Sequence, residues 1–200
     1  MSELNQDKLE KRRKTNKKIL SIFGILFGII LIAVIVGAIT SEKSEFDKHY
    51  SNIKNGLAKM GYEIVKESPQ YKQFKAPASN NQAYYVDYGI DERVAEEYQN
   101  LRCEISFYPQ PKLNSDWAGK EKILANDPKI IETIKLITAE LTNNEVSYED
   151  IIREAQQKVQ TGDTSRINIE TDKYQFRMSK GESGLKCHFI LFLPGKKRLS

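Results

Sequence analysis

Two histidines, two cysteines and one tryptophan are all that 200 residues supply, and each scarcity removes a class of chemistry. His49 and His188 are far apart, and neither has a second histidine or cysteine at metal-ligand spacing. Cys187 adjoins His188 but points to the opposite face of a strand. No metal and no other cofactor is therefore expected; His49 reads as a surface residue and His188 as a structural one. There is no glycine-rich phosphate loop and no Gly-x-Ser-x-Gly elbow. Ser51-Asn52-Ile53-Lys54 and Ser183-Gly184-Leu185-Lys186 match the Ser-x-x-Lys spacing of some acylases. Their partner motifs, Ser-Asp-Asn and Lys-Thr-Gly, are missing, and a chain rich in serine and lysine yields such matches by chance.

Charge is absent from residues 19–40, a run of 22 with no proline and no polar group beyond Ser21 and Thr40. As a helix it would span about 33 Å, enough for a hydrocarbon core of roughly 30 Å. Lipid offers no partner to open backbone groups, so a transmembrane helix is the expected form. The preceding tail, residues 1–18, holds seven cations, Arg12, Arg13, Lys14, Lys17 and Lys18 among them, and three anions. The outer flank, Ser41-Glu42-Lys43-Ser44-Glu45, is net acidic. Basic residues stay on the cytoplasmic side, which puts the amino terminus inside and the carboxyl terminus outside. Val36-Gly37-Ala38 resembles a cleavage site, but the apolar core is longer than a signal peptide needs. Gly24 and Gly28 hold Gly-x-x-x-Gly spacing, which brings two backbones close enough for a homodimer through the membrane helix.

The net charge of +4 belongs to the tail: beyond Lys18 there are 24 basic and 24 acidic residues. A neutral domain lacks the basic face that nucleic acid requires, so no nucleic-acid partner is expected. The expected partners are the lipid bilayer and another envelope protein. Cys103 and Cys187 both fall in the exported part, where an oxidising compartment permits a disulfide. Two buried thiols are the alternative, because each lies on an apolar strand face.

The exported part reads as α+β, amphipathic helices packed on antiparallel, meander-like sheet, and the chain as a whole falls into four segments. These are the tail 1–18, the span 19–40, a juxtamembrane amphipathic helix over 41–61 and the domain 62–200. Phe46, Tyr50, Ile53, Leu57 and Met60 form one helical stripe, stopped by Gly61. Strand-like segments at 62–67 and 71–75 flank Ser68-Pro69-Gln70, period-two alternation marks strands at 83–90 and 101–108, and a short helical excursion is expected over 91–99. Residues 109–119 read as a long connection. Asp127-Pro128 opens a second helix facing inward through Ile130, Ile131, Ile134, Ile137 and Leu141. Ser147 caps a third, with Ile151, Ile152, Ala155 and Val159 inward and Gly162 at its end. Three strands follow at 166–171, 174–178 and 186–193, the last apolar enough to be covered on both faces. The run 102–109 echoes 186–194, each Cys-bearing and closed by proline, which suggests two related halves.

No catalytic constellation emerges. Asp87, Asp91, Glu92, Glu96 and Glu97 gather around the 91–99 excursion, as a solvated face does. Tyr85 and Tyr108 are the tyrosines that alternation sends outward, and aromatic groups with polar tips favour recognition surfaces. The expectation is a single-pass membrane-anchored envelope protein with a non-catalytic binding or accessory domain. The alternative is an exported enzyme using the acidic cluster or a free thiol.

Overall fold

Seven strands share one sheet in the computed structural model, which describes Phe27 and residues 45–79, 81–90, 94–109, 116–180 and 184–198. The chain divides into two compact units, Met1–Lys43 and Ser44–Ser200. Apart from Phe27, residues 19–40 lie outside the described residues, as do Arg12, Arg13, Lys14, Lys17, Lys18, Gly24 and Gly28. Among the described residues no helix is long and apolar enough to cross a membrane.

The strands are β1 (Glu63–Ser68), β2 (Tyr71–Pro77), β3 (Ala83–Ile90), β4 (Leu101–Phe107), β5 (Ile167–Glu170), β6 (Tyr174–Met178) and β7 (Leu185–Leu191). Their order is β1-β2-β3-β4-β7-β6-β5, every pair antiparallel. The two meanders legible in the sequence are thus halves of one sheet, joined where β4 pairs with β7. That seam is locally two-fold. Glu104 faces His188 at its centre, Cys103 faces Phe189 on one side, and Ile105 faces Cys187 on the other. Both strands bury their residues in the same order along their length.

One sheet face is apolar from edge to edge. Phe74, Val86, Ile105, Cys187, Met178 and Ile167 make one row across six strands, and Tyr88, Cys103, Phe189, Phe176 and Ile169 the next. The helices cover this face, giving a mixed α+β architecture of two layers. The first helix, α1, runs over residues 45–59 and inserts Phe46, Ile53 and Leu57 into the core. Its stripe is spent on the domain's own sheet, and Tyr88 Oη donates to Phe46 O at 2.7 Å. Helix α3 (Pro128–Thr142) lies over β4 and β7. Helix α4 (Tyr148–Thr161) lies against β5.

The caps are those the sequence announces. Asp127 Oδ1 accepts from Ile130 N at 3.0 Å with Pro128 in the first turn. Ser147 and Asp150 form a reciprocal capping box, and Gly162 ends α4 at φ +68°.

Several expectations need correction. Residues 117–126, read in part as a connection, form helix α2 (Trp117–Asn126), capped by Asp116, whose side chain accepts from Gly119 N at 2.9 Å. Its inward stripe is Trp117, Lys120, Ile123 and Leu124; a lysine in that stripe breaks the apolar period that would have revealed it. In α4 the inward turn after Ala155 is Lys158, whose amine reaches Asp163 and Ser165, while Val159 is 41% exposed. Among the described residues of the expected excursion, Glu96–Tyr98 form a 3-10 turn, and Asp91 and Glu92 lie outside the described residues. Strand β7 is covered by helices on one face only; its other face carries Lys186 and His188, both half-buried.

Cys103 and Cys187 are free, fully buried thiols, not a disulfide. Both point into the core from neighbouring strands, but the register sets them two residues apart. Diagonal neighbours across a sheet sit about 7–8 Å apart, beyond disulfide reach.

Candidate functional site

The sheet face turned away from the helices is polar, and it brings together the titratable residues that alternation had assigned to opposite parity from the core. Gln73, Asp87, Glu104, His188, Arg177 and Asn168 form one row across six strands. Lys75, Tyr85, Ser106 and Lys186 form the row beside it. Strand geometry dictates this: with the apolar members of β2–β7 drawn under the helices, every intervening residue emerges here.

The row is internally paired. Asp87 and Glu104 stand directly opposite one another, an arrangement that like charges disfavour. Each is compensated separately. Asp87 accepts from Tyr71 Oη and, at 2.8 Å, from Gln73 Nε2. Glu104 Oε1 takes Lys186 Nζ at 3.0 Å and Ser106 Oγ at 3.3 Å, while Glu104 Oε2 lies 3.2 Å from His188 Nδ1. Burial, reinforced by Arg166, pulls the Arg177 guanidinium below its ordinary value.

The order of these contacts matters chemically. A hydrolytic triad needs the imidazole between hydroxyl and carboxylate. Here the carboxylate is in the middle, Ser106 to Glu104 to His188, so the serine faces a weak base. Among the described residues no group of three or more His, Cys, Asp or Glu is placed to hold a metal ion. The thiols are equally unsuited to nucleophilic work. Burial, with Asp87 and Glu104 adding to it, pushes the Cys103 thiol well up, and burial pushes Cys187 to about 12 despite Lys120. Only the thiolate is a nucleophile.

Of the two tyrosines singled out, Tyr85 is half-buried on this face with the Lys75 amine 5.8 Å from its ring centre. Tyr108 follows the end of β4 and is 41% exposed; its carbonyl accepts from Gln82. Tyr85 pairs with Ser106, two residues before Tyr108, so the structure places both at the same end of the sheet. Asp87 stands among the polar rows, whereas Glu96 and Glu97 sit in the exposed 3-10 turn, so the acidic residues grouped by sequence do not form one cluster. His49 is not a surface residue. It is 8% exposed, with Nδ1 3.1 Å from Glu140 Oε1 and Nε2 3.5 Å from Glu45, binding α1 to α3.

Sequence reasoning missed Glu104, Lys186 and His188 as a group. The signal was the charged residues alternating with apolar ones on β4 and β7, whose partnership only the sheet order reveals. A concavity of about 440 Å3 opens where the end of β2 meets the α2–α3 turn, lined by Pro77, Tyr84, Lys122, Ile123 and Asp127 among others. Three of its polar groups are engaged: Tyr84 Oη donates to Asp127 Oδ2 at 2.9 Å, and the Lys129 amine to Met60 O at 2.9 Å.

Comparison with known proteins places the chain in no family: no family model, no curated protein and no solved structure matches it.

Proposed function

We propose that this chain is a single-pass membrane-anchored envelope protein whose extracytoplasmic domain is a non-catalytic binding or accessory module. Residues 19–40 are the anchor, with the basic tail of Arg12, Arg13, Lys14, Lys17 and Lys18 in the cytoplasm. The observation that carries the binding reading is the helix-free sheet face, a half-buried polar surface with Tyr85 and Tyr108 at one end. Its partner is another envelope protein. The contact order of Ser106, Glu104 and His188, and thiols held protonated by burial, weigh against the exported-enzyme alternative. Gly24 and Gly28 would support a parallel dimer within the bilayer, leaving the soluble domains free to bind.

The test is site-specific photo-crosslinking of the full chain in cells. A photoreactive residue at Tyr85 or Tyr108 should give a discrete adduct with a second envelope protein, whereas the same residue at exposed Glu132 on α3 should not. Adducts of equal yield at all three positions, or none from the sheet face, would refute the recognition surface.

A further inference from the structure

At the end of the sheet away from Tyr85 and Tyr108, the helix-free face is closed over by two short segments that hold each other. Lys197 N donates to Glu97 O at 2.6 Å, Asn100 Nδ2 donates to Lys197 O at 3.0 Å, and Leu193 N donates to Asn100 Oδ1 at 2.9 Å. Arg198 pairs with Glu170 Oε1 at 3.0 Å and lies 4.5 Å from the centre of the Phe192 ring. The carboxyl-terminal segment is thus strapped to the 3-10 turn and to β5. Beside this strap lies a void of about 10 Å3, lined by Val94, Tyr98, Arg102, Gln175, Ile190 and Phe192 among others.

Gln175 is the group this void has to satisfy. It is 4% exposed, and its Nε2 donates to Glu170 Oε2 at 2.8 Å and to Asn168 Oδ1 at 3.0 Å. An ionised carboxylate only accepts, so the amide cannot be turned round. The nitrogen faces β5, so Oε1 is turned away from those partners, and Gln175 lines the void together with Ile190. Among the described residues no group donates to Oε1. Buried amide oxygens without a donor are rare, and when no side chain serves them an enclosed water usually does. A void of about 10 Å3 is close to the roughly 10–15 Å3 that one water requires on the same measure.

We propose that this void is a hydration site for a single water molecule, which donates to Gln175 Oε1 and accepts from the Arg102 guanidinium that lines the same space. The water completes the polar contacts beneath the strap and links β4 to β6 across β7, where the intervening residue, Ile190, offers no polar side chain. Its ligand class is narrow: a neutral donor of one heavy atom, held beside an apolar wall.

A crystal structure of the full chain at high resolution tests this directly. The expected result is one ordered water about 2.6–3.2 Å from Gln175 Oε1. An Oε1 accepting directly from a protein N–H, or no density in the void, overturns the proposal. Val94→Ile supplies an independent arm, read as the melting temperature of the full chain. Its added methyl group displaces the water and strands Oε1, so the melting temperature should fall. If the void is dry, the methyl fills it and the melting temperature is unchanged or raised, which also overturns the proposal.

Discussion

Asp127 performs two tasks with one carboxylate. Oδ1 caps α3 through Ile130 N, and Oδ2 accepts the Tyr84 hydroxyl from the start of β3. Losing an N-cap costs about 0.5–2 kcal/mol, and the orphaned hydroxyl adds about 1 kcal/mol more. Asp127→Ala should therefore lower stability by about 1.5–3 kcal/mol in denaturant titration, and Tyr84→Phe by about 1 kcal/mol. An equal loss from both variants would mean that the cap contributes nothing. The buried thiols and phenols make a different prediction, in pH. Burial raises Cys103 and lifts Cys187 to about 12 from an ordinary 9.0. Tyr62 is likewise raised to about 12 from 10.0, by burial first. A folded value raised above the unfolded one stabilises the fold fully below the unfolded value, and that contribution is lost as pH climbs towards the folded one. Melting temperature should thus decline from about pH 9 to about pH 12. In Cys103→Ala/Cys187→Ala the decline should start about one unit later, because tyrosine then titrates first. An unchanged onset would show that the thiols do not contribute.

At the scale of elements, the tight place is where the end of β3 passes the β1–β2 turn. A Cβ on Gly89 would stand 2.5 Å from Gln70 O and 3.0 Å from Tyr71 Cα, both backbone atoms that cannot swing aside. Gly89→Ala should cost about 1–3 kcal/mol, measured by thermal unfolding; a neutral result would show that this turn yields. Elements were legible in the sequence where one local rule governed them. Alternation, turn residues and one continuous apolar run located the seven strands, and the caps at Asp127, Ser147 and Gly162 located α3 and α4. Helix α2 was hidden because Lys120, 1% exposed and donating to Gly184 O at 2.5 Å, interrupts its stripe. Val159 was misplaced for a related reason: Lys158 extends its stem inward and satisfies its amine at Asp163 and Ser165, so composition no longer marks the buried side. The β4–β7 pairing, and with it the juxtaposition of Glu104, Lys186 and His188, depends on residues 78 to 90 positions apart, which no local pattern encodes.

At the scale of the whole molecule, an uncharged run of 22 residues precedes a neutral α+β domain with one helix-covered and one helix-free sheet face. On the proposed reading the tail's cations set orientation, and the helix-free face serves an envelope partner only if it lies outside the cytoplasm. Topology is therefore the claim on which the rest depends. The direct measurement is a reporter fused after Ser200 that is active only outside the cytoplasm, compared with a second fusion active only inside. The account predicts activity from the first and none from the second, with the distinction blurred when Arg12, Arg13, Lys14, Lys17 and Lys18 are neutralised. Activity from the cytoplasmic reporter alone would contradict it.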